Sequence, residues 1–140
     1  MTIKERQQSI IDNFNLFDSW TEKYIYLIDL GKNLKTFPEE KKNEIHEIKG
    51  CQSKVWFNAV FHNNTLKFYA TSDAAIVSGL IGILLKVYNL SSPEEILKSN
   101  IDFMKKIGLE KHLSITRNNG LHVMIDYIYS KAEFYATVRK

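Results

Sequence analysis

Cysteine is the rarest residue in this sequence, and Cys51 is the only one among 140 residues. A lone thiol cannot form a disulfide within the chain, and it cannot supply the four-cysteine or cysteine-histidine ligands of a structural zinc site. Free cysteine is often buried and commonly behaves as a small hydrophobic residue. Cys51 is therefore either a nucleophile for covalent chemistry or a chemically inert packing residue.

Long apolar runs and strong net charge are also scarce. The longest apolar stretch, residues 74–85, contains a serine and two glycines and is too short to cross a bilayer. A net charge of +3, with lysines spread along the chain, does not indicate a nucleic-acid partner. Residues 1–8 are charged and polar and lack the apolar centre of a secretory signal. We therefore expect a cytoplasmic protein without membrane or nucleic-acid contacts, whose thiol is kept reduced.

The length of the chain suits one domain. A domain of this size buries about two thirds of the surface that its unfolded chain exposes. The composition, 44% hydrophobic and 25% charged, is ordinary for a globular protein. Two prolines and six glycines are too few for a disordered linker, and no repeat or low-complexity tract is present. We expect a single domain over residues 1–140.

Helical periodicity is clear in the first part of the chain. Residues 3–14 place apolar side chains on one face and predict an amphipathic helix. Residues 20–30 repeat this spacing and predict a second helix, for which Asp18 or Ser19 is a suitable N-cap. The charged segment that follows contains Pro38 and is typical of a connection with at most one helical turn.

A third helix is predicted over residues 74–88, with Ser72 as its N-cap and Asp73 in its first turn at the positive end of the helix dipole. This segment is apolar nearly all round, which indicates a central helix packed against the sheet. Gly79 and Gly82 would permit close approach of another backbone.

Two further helices are predicted in the last part of the chain. Ser92 and Pro93 have the residue types of a helix start, and acidic residues follow in the first turn. Residues 116–119 are typical of a turn. Residues 121–129 then carry apolar side chains at helical spacing and predict the final helix.

Alternating apolar residues predict a sheet between the second and third helices. Residues 45–48 predict a short strand that leads to Cys51, and residues 55–62 alternate over a longer stretch. Asn63 and Asn64 can adopt the positive φ angles of a tight turn, and residues 66–70 repeat the alternation. We expect an antiparallel hairpin within a sheet of about three strands, and the mixture of helices and sheet predicts the α+β class.

The immediate neighbours of Cys51 are typical of a loop tip. Gly50 removes a side chain beside the sulfur and widens the available backbone conformations. Gln52 and Ser53 carry polar groups that a buried strand would have to pair. The sequence therefore predicts that Cys51 is presented on a loop.

The charges beside this loop bear on the reactivity of Cys51. Lys49 and Lys54 flank it. Nearby positive charge favours the thiolate, which is the nucleophilic form of cysteine. We expect a thiolate-favouring setting, with a small effect if both ammonium groups point to solvent.

Four segments of the chain then point to a family: GCQSKVW at residues 50–56, SDAAIVSGL at 72–80, SPEEIL at 92–97 and RNNGL at 117–121. Together they resemble the SufE family of sulfur acceptors, in the family's order and approximate spacing. The resemblance covers nearly the whole chain except its last dozen residues. One departure is visible at residues 116–120, where this chain has TRNNG and the family commonly has SRSNG.

The resemblance implies a SufE/IscU-like fold, in which helices cover one face of a small antiparallel sheet. It also implies a function in iron–sulfur cluster assembly. Cys51 would be the catalytic residue that takes persulfide sulfur from a SufS-type cysteine desulfurase, stimulates its turnover, and passes the sulfur to a SufBCD-type scaffold complex. The pyridoxal phosphate (PLP) would belong to the desulfurase, with no cofactor in this chain, which we expect to be a monomer or weak homodimer.

Matching positions around the thiol are expected to bind the partner or support the loop: Gly50, Gln52, Ser53, Trp56, Asp73 and Arg117. Two roles stay open for Asp73 and Arg117. One is structural, as a helix-terminal charge and a loop-fixing hydrogen-bond donor. The other is direct contact with the desulfurase.

Three alternative functions also remain open. Cys51 could belong to a cysteine-dependent hydrolase, activated by one of four histidines: His46, His62, His112 or His122. The chain could be an iron–sulfur scaffold, although cluster binding usually needs several thiolates. Finally, it could be a non-catalytic interaction module with an incidental thiol.

Overall fold

The computed structural model of the chain describes residues 1–138. It contains six helices and one hairpin in this range, with short 3₁₀ turns at Glu39–Lys41 and Leu109–Lys111. The elements are α1 (Ile3–Asn15), α2 (Trp20–Lys32), β1 (Val55–His62), β2 (Thr65–Ser72), α3 (Ala75–Tyr88), α4 (Pro93–Lys98), α5 (Asp102–Ile107) and α6 (Ile115–Val138). The α+β class is confirmed. The domain prediction also included Arg139 and Lys140, which lie outside the described residues.

The first two helices form where the sequence predicts them. Thr2 closes a reciprocal capping box with Glu5 at the start of α1, and the Ser19 side chain accepts a hydrogen bond from the Glu22 N–H at the start of α2. The buried face of α1 is the helical face predicted from the sequence, and Gln7 is its one polar member: Ile3, Gln7, Ile10, Ile11 and Phe14.

The predicted hairpin is also confirmed. β1 and β2 pair antiparallel from Val55 opposite Ser72 to His62 opposite Thr65. The turn residues Asn63 and Asn64 have φ angles of 50° and 63°, the left-handed conformation that asparagine tolerates better than most residues. One face of the hairpin is buried in the core, including Val55, Phe57, Leu66, Phe68 and Ala70.

The expected third strand does not form in the described part of the chain, where the sheet has two strands. Residues 46–48 make a single bridge to β1, between Glu47 and Trp56. Ile48 is buried as an inward strand residue would be, but Ile45 is 88% exposed. The alternation is too short to extend the ladder, so this segment pairs only at the base of the Cys51 loop.

Helix α3 lies at the centre of the core, as its apolar composition predicts, but it begins later than expected. Ser72 ends β2, Ala74 is the N-cap residue and α3 starts at Ala75. The prediction that Ser72 caps this helix with Asp73 in its first turn is therefore wrong. Both side chains are instead engaged by the neighbouring loop.

The contact between α2 and α3 depends on glycine. A Cβ atom at Gly79 would lie 2.2 Å from the backbone oxygen of Leu27, and one at Gly31 would lie 2.8 Å from the Gly79 nitrogen. Gly82 is less crowded, because its Cβ would lie 3.1 Å from the Leu30 Cβ. The predicted close approach at Gly79 and Gly82 is thus confirmed.

The final helix is longer than the sequence predicts. Residues 116–119 are helical and not a turn, because α6 begins at Ile115 and runs to Val138. Ser114 has the position of an N-cap, since its hydroxyl accepts a hydrogen bond from the Arg117 N–H at 3.2 Å. Helix α4 begins after the predicted N-cap Ser92, which forms a reciprocal capping box with Glu95. Within residues 1–138, no helix is both long and apolar enough to cross a membrane.

Candidate functional site

Cys51 lies on a closed loop, residues 49–54, whose base is held by backbone pairing. The Ile48 N–H donates to the Val55 oxygen at 2.9 Å, and the Phe57 N–H donates to the His46 oxygen at 2.9 Å. Gly50 has a φ of 96°, a left-handed conformation that glycine adopts at low cost. The loop therefore leaves the edge of β1 and turns sharply immediately before the cysteine.

The end of β2 fixes the other side of this loop through Lys54. The Asp73 carboxylate accepts a hydrogen bond from the Lys54 N–H at 3.1 Å, and the Ser72 hydroxyl donates to the Lys54 oxygen at 2.7 Å. The Asp73 N–H also donates to that oxygen at 3.3 Å. Asp73 is thus a hydrogen-bond acceptor that holds the loop, in place of the helix-terminal charge expected from its position before α3.

The two lysines beside the loop are directed at an acid and not at the thiol. The Glu47 carboxylate lies 3.2 Å from the Lys49 ammonium and 3.9 Å from that of Lys54. Burial raises the pKa of the Cys51 thiol above its ordinary value, and burial is the one cause of this shift. The expected thiolate-favouring setting is therefore not found in this conformation.

The thiol is seated against helix α6. Cys51 is half-buried, and its Sγ donates a long hydrogen bond to the Gly120 oxygen at 3.9 Å. A Cβ atom at Gly120 would lie 3.6 Å from Sγ and 3.9 Å from the Cys51 Cβ. A hypothetical Cβ at Gly50 would lie 3.2 Å from a methyl group of Val123, one turn further along α6. A Cβ atom at Gly120 would thus be in ordinary contact with the sulfur, and a larger side chain there would crowd it.

A cavity of about 240 Å³ opens beside the thiol. Its apolar wall comes from α3 and α6 and consists of Val77, Leu80, Leu121 and Met124. Its polar wall combines the Cys51 loop with the start of α6 and consists of Gln52, Ser53, Ser114, Thr116 and Arg117. The sulfur therefore has an apolar surface on one side and several potential hydrogen-bond donors on the other.

Most of the residues predicted for the site meet here. Gln52, Ser53 and Arg117 line the cavity with Cys51. In the described part of the chain, the Arg117 guanidinium has no hydrogen bond or ion pair, so the proposed loop-fixing bond from this side chain is not seen. Trp56 lies on β1, where it bridges Glu47 at the base of the loop, and it does not line the cavity.

None of the histidines is bonded to the thiol among the residues that the structure describes. His46 contacts the Asn43 side chain, His112 stacks on Trp20 with ring centroids 3.7 Å apart, and His122 lies 3.9 Å from the Glu110 carboxylate. Residues 1–138 also contain no cluster of three or more histidine, cysteine or acidic side chains that could hold a metal ion. The arrangement offers a nucleophilic sulfur without an imidazole base bonded to it.

Sequence reasoning missed the contribution of helix α6. Ser114, Thr116 and Gly120 line the cavity, whereas the residue types at 116–119 are typical of a turn. A signal was nevertheless present. Serine is a common N-cap residue, and Ser114 directly precedes Ile115, the first residue of α6.

The raised pKa gives a direct expectation for the reactivity of the thiol. Since the thiolate is the form that is alkylated, iodoacetamide should modify Cys51 in the folded chain with a pH midpoint above the ordinary value of about 8.5. A peptide copying residues 49–54 provides the unshielded reference. Rates measured between pH of about 6 and 10 should show the folded chain reacting more slowly near neutrality. Superimposable profiles would show that α6 does not shield the thiol.

Enlarging Gly120 is expected to displace the thiol. In Gly120→Val the added methyl groups extend beyond a Cβ position that already contacts Sγ, so the loop must leave its seat. Alkylation near neutral pH should then accelerate roughly threefold or more, because accessibility and thiolate fraction both rise. Gly120→Ala should leave the rate unchanged, since its Cβ makes only ordinary contact.

Asn119→Val is the matched control for this variant. It places the same β-branched residue on an exposed position of the same helical turn. An acceleration in Asn119→Val equal to that in Gly120→Val would attribute the effect to weakening of the helix and not to the contact with sulfur.

A family model described as SufE, an Fe-S metabolism associated domain, matches residues 8–132. The chain is similar to an uncharacterised SufE-like protein of Rhizobium meliloti (strain 1021), with 41% identity over 131 residues, covering 89% of this chain and 92% of that protein. The matched region contains the Cys51 loop, β2 and the start of α6.

The fold is also similar to a solved structure of low sequence identity. The solution structure of a hypothetical protein from Thermus thermophilus superposes with a TM-score of 0.78 at 18% identity. The match covers 94% of this chain and 96% of the other. At this identity the likeness concerns the fold alone, and it agrees with the arrangement of helices around a small antiparallel sheet.

Proposed function

The chain belongs to the SufE family, whose model is associated with iron–sulfur metabolism, and from this premise we propose that it is a sulfur acceptor in which Cys51 carries the accepting sulfur atom. The donor is a SufS-type cysteine desulfurase that carries the pyridoxal phosphate. The recipient is a SufBCD-type scaffold complex. Both partners are cytoplasmic proteins in this proposal, and this chain works between them.

The observation that carries the proposal is the position of the single thiol. Cys51 lies on a loop anchored at both ends, and its sulfur borders a cavity of about 240 Å³. A sulfur carrier must expose its thiol to a partner's active site and protect the loaded persulfide from reductants and oxidants. The contact of Cys51 with α6 supports a protected position of the thiol. The glycine turn at Gly50 supports movement of the loop between this position and an exposed one.

The transfer step requires no oxidant or reductant. The desulfurase releases sulfur from free cysteine, leaving alanine, and holds that sulfur as a persulfide on its own cysteine. The Cys51 thiolate attacks the outer sulfur, a new S–S bond forms, and the bond to the desulfurase sulfur breaks. The desulfurase cysteine departs as a thiolate and takes up a proton. The sulfur that was transferred remains as the outer sulfur of a persulfide on Cys51.

Docking on the desulfurase is proposed to favour the thiolate form of Cys51, which burial disfavours in the isolated chain. In the free chain, burial raises the Cys51 pKa. Withdrawal of the loop from α6 into a partner's active site removes that cause, and the partner's own charges can act on the sulfur. The reactive form would thus arise where a sulfur donor is present, which limits side reactions of the free chain.

Two charged residues near the loop have distinct proposed roles. Arg117 lines the cavity, and its guanidinium has no partner in residues 1–138, so we assign it to contact with the desulfurase or with the persulfide. Asp73 supports the loop through Lys54. Gln52 and Ser53 move with the thiol because they lie on the same loop.

A turnover assay tests the proposal. The desulfurase is supplied with free cysteine and alanine formation is followed while this chain is titrated in. The proposal predicts a saturable rise in the initial rate, because Cys51 regenerates the desulfurase thiol faster than solution reductants do. A rate that does not change at saturating concentrations of the chain would contradict it. Hydrolysis of a thioester or peptide by the chain alone would favour the hydrolase alternative instead.

A further inference from the structure

A second and larger cavity lies towards the other end of α3, away from Cys51. Its volume is about 430 Å³, and it lies between the end of α2, strand β2 and the second half of α3. On α3 it is lined by Gly82, Leu85 and Lys86, whereas the Cys51 cavity uses Val77 and Leu80. The two cavities share no lining residue. A volume of this size is within the range of about 300–1,000 Å³ that small-molecule sites occupy.

The walls of this cavity are apolar and its charged groups are all of one sign. Leu30, Leu34 and Phe68 contribute apolar surface. The charged lining residues are three lysines, with no acidic residue among them: Lys35, Lys67 and Lys86. We call this cavity the basic pocket.

The lysines of the basic pocket are not neutralised within residues 1–138. None of the three forms an ion pair there, and the Lys67 ammonium lies 5.2 Å from the centre of the Tyr69 ring. Lys35 and Lys86 are exposed. Positive charges around an apolar concavity create a potential that attracts an anion.

Leu90 at the margin of the pocket combines two unfavourable features. Its φ angle is 61°, in the left-handed region that disfavours side chains other than glycine and asparagine. Its side chain is 61% exposed although it is fully apolar. The backbone is held by a hydrogen bond from the Leu90 N–H to the Leu66 oxygen at 2.8 Å. Strained positions of this kind cluster at functional sites, and here the strain presents an apolar side chain beside the cavity.

The edge of β2 indicates what kind of ligand fits. An extended peptide would have to pair with this edge, but the Leu66 N–H already donates to the Ser91 oxygen at 2.9 Å. The Phe68 N–H donates to the Asn89 Oδ1 at 2.7 Å, and the Asn89 Nδ2 donates to the Phe68 oxygen at 3.3 Å. Residues 89–91 thus occupy the edge that strand addition would need. A compact small molecule is favoured over a peptide strand.

We propose that the basic pocket binds a small anionic amphiphile. Its apolar body lies against Leu34, Phe68 and Leu90, and its anionic group is held at the rim by the ammonium groups of Lys35 and Lys86. This site is independent of Cys51, so it can be occupied while the thiol engages a partner.

Decanoate is the probe that tests the site, followed by the backbone amide resonances of the isolated chain. We expect saturable shifts concentrated at Ala70, Leu85 and Leu90, and an affinity that falls with added salt because the rim lysines are exposed. Decyltrimethylammonium has the same chain length and the opposite charge, and it should bind at least tenfold more weakly. Equal binding of the two probes, or shifts distributed elsewhere, would overturn the proposal.

Charge reversal tests the role of the rim. The double variant Lys35→Glu with Lys86→Glu is expected to weaken decanoate binding at least tenfold. Lys105→Glu with Lys111→Glu changes the net charge equally at exposed positions outside the pocket, and it should leave the affinity within twofold of the parent chain. If both double variants weaken decanoate binding equally, the effect is one of net charge, and this result would contradict a site at the rim.

Leu90→Asn separates binding from folding. Asparagine tolerates the left-handed conformation, so the unfolding midpoint should stay the same or rise while decanoate binding weakens several-fold. A lower midpoint with unchanged affinity would show that Leu90 serves folding and would remove it from the site.

The peptide acetyl-Asp-Leu-Phe-Asp-amide tests whether the pocket binds a protein segment. Shifts at the pocket with this peptide but not with decanoate would contradict the small-molecule proposal and indicate a protein partner. These measurements require no desulfurase and stand apart from the sulfur-transfer proposal.

Discussion

Cys51→Ser is expected to abolish stimulation of the desulfurase, so that alanine forms at the rate of the desulfurase alone. The hydroxyl of serine is not ionised near neutral pH and cannot hold a sulfane sulfur, so no acceptor remains in a chain that has one cysteine. The fold should be preserved, because the residue is half-buried and loses only a long hydrogen bond to Gly120.

The same variant also tests docking. An excess of Cys51→Ser added to an assay with the parent chain should inhibit it by competing for the desulfurase. Its thermal unfolding curve serves as the control for folding. If the variant still stimulates alanine formation, the thiol is not the acceptor, and the stimulation must come from a conformational effect on the desulfurase.

Gly79→Ala is expected to cause the largest loss of stability of the single substitutions considered. The added Cβ would lie 2.2 Å from the Leu27 oxygen and 2.7 Å from the Leu27 carbonyl carbon, and both are backbone atoms that cannot rotate away. Helices α2 and α3 must therefore separate in the middle of the core. We expect a loss of about 3 kcal/mol of unfolding free energy, which corresponds to a fall of about 10 °C in the unfolding midpoint.

Gly82→Ala is the matched control on the same helix face. Its Cβ would lie 3.1 Å from the Leu30 Cβ and the Leu30 oxygen, a contact that a shift of a few tenths of an ångström relieves. Replacing glycine by alanine within a helix also contributes about 1 kcal/mol of helix propensity. This variant should remain close to the parent chain. Equal losses for the two variants, measured by denaturant unfolding, would show that α2 and α3 do not pack through Gly79.

Local patterns in the sequence predicted most of the fold. The cap at Ser92, the left-handed asparagines of the hairpin turn and the apolar face of α1 each depend on residues close together in the chain. The prediction failed where a local preference competed with a distant contact. Residues 116–119 have turn-forming residue types, but the Ser114 cap and packing of α6 against the core make them helical.

For the candidate site, too, local motifs were predictable and contacts between distant residues were not. The family resemblance associates Gln52, Ser53 and Arg117 with Cys51 as partner-binding or loop-supporting residues, and all four line the cavity. The sequence could not reveal that Lys49 pairs with Glu47, since charge pairing at a loop base depends on how the chain folds back. The raised pKa of the thiol likewise arises from burial against α6, which no spacing in the sequence specifies.

Mass spectrometry of the loaded chain tests the central claim most directly. The chain is mixed with a SufS-type desulfurase, pyridoxal phosphate and free cysteine without added reductant, then separated, alkylated and digested. The account predicts that the peptide containing Cys51 gains the mass of one or more sulfur atoms, and that the gain disappears on treatment with a thiol reductant. If the desulfurase carries its persulfide under these conditions while the Cys51 peptide never gains sulfur, Cys51 is not the acceptor and the proposed function is wrong.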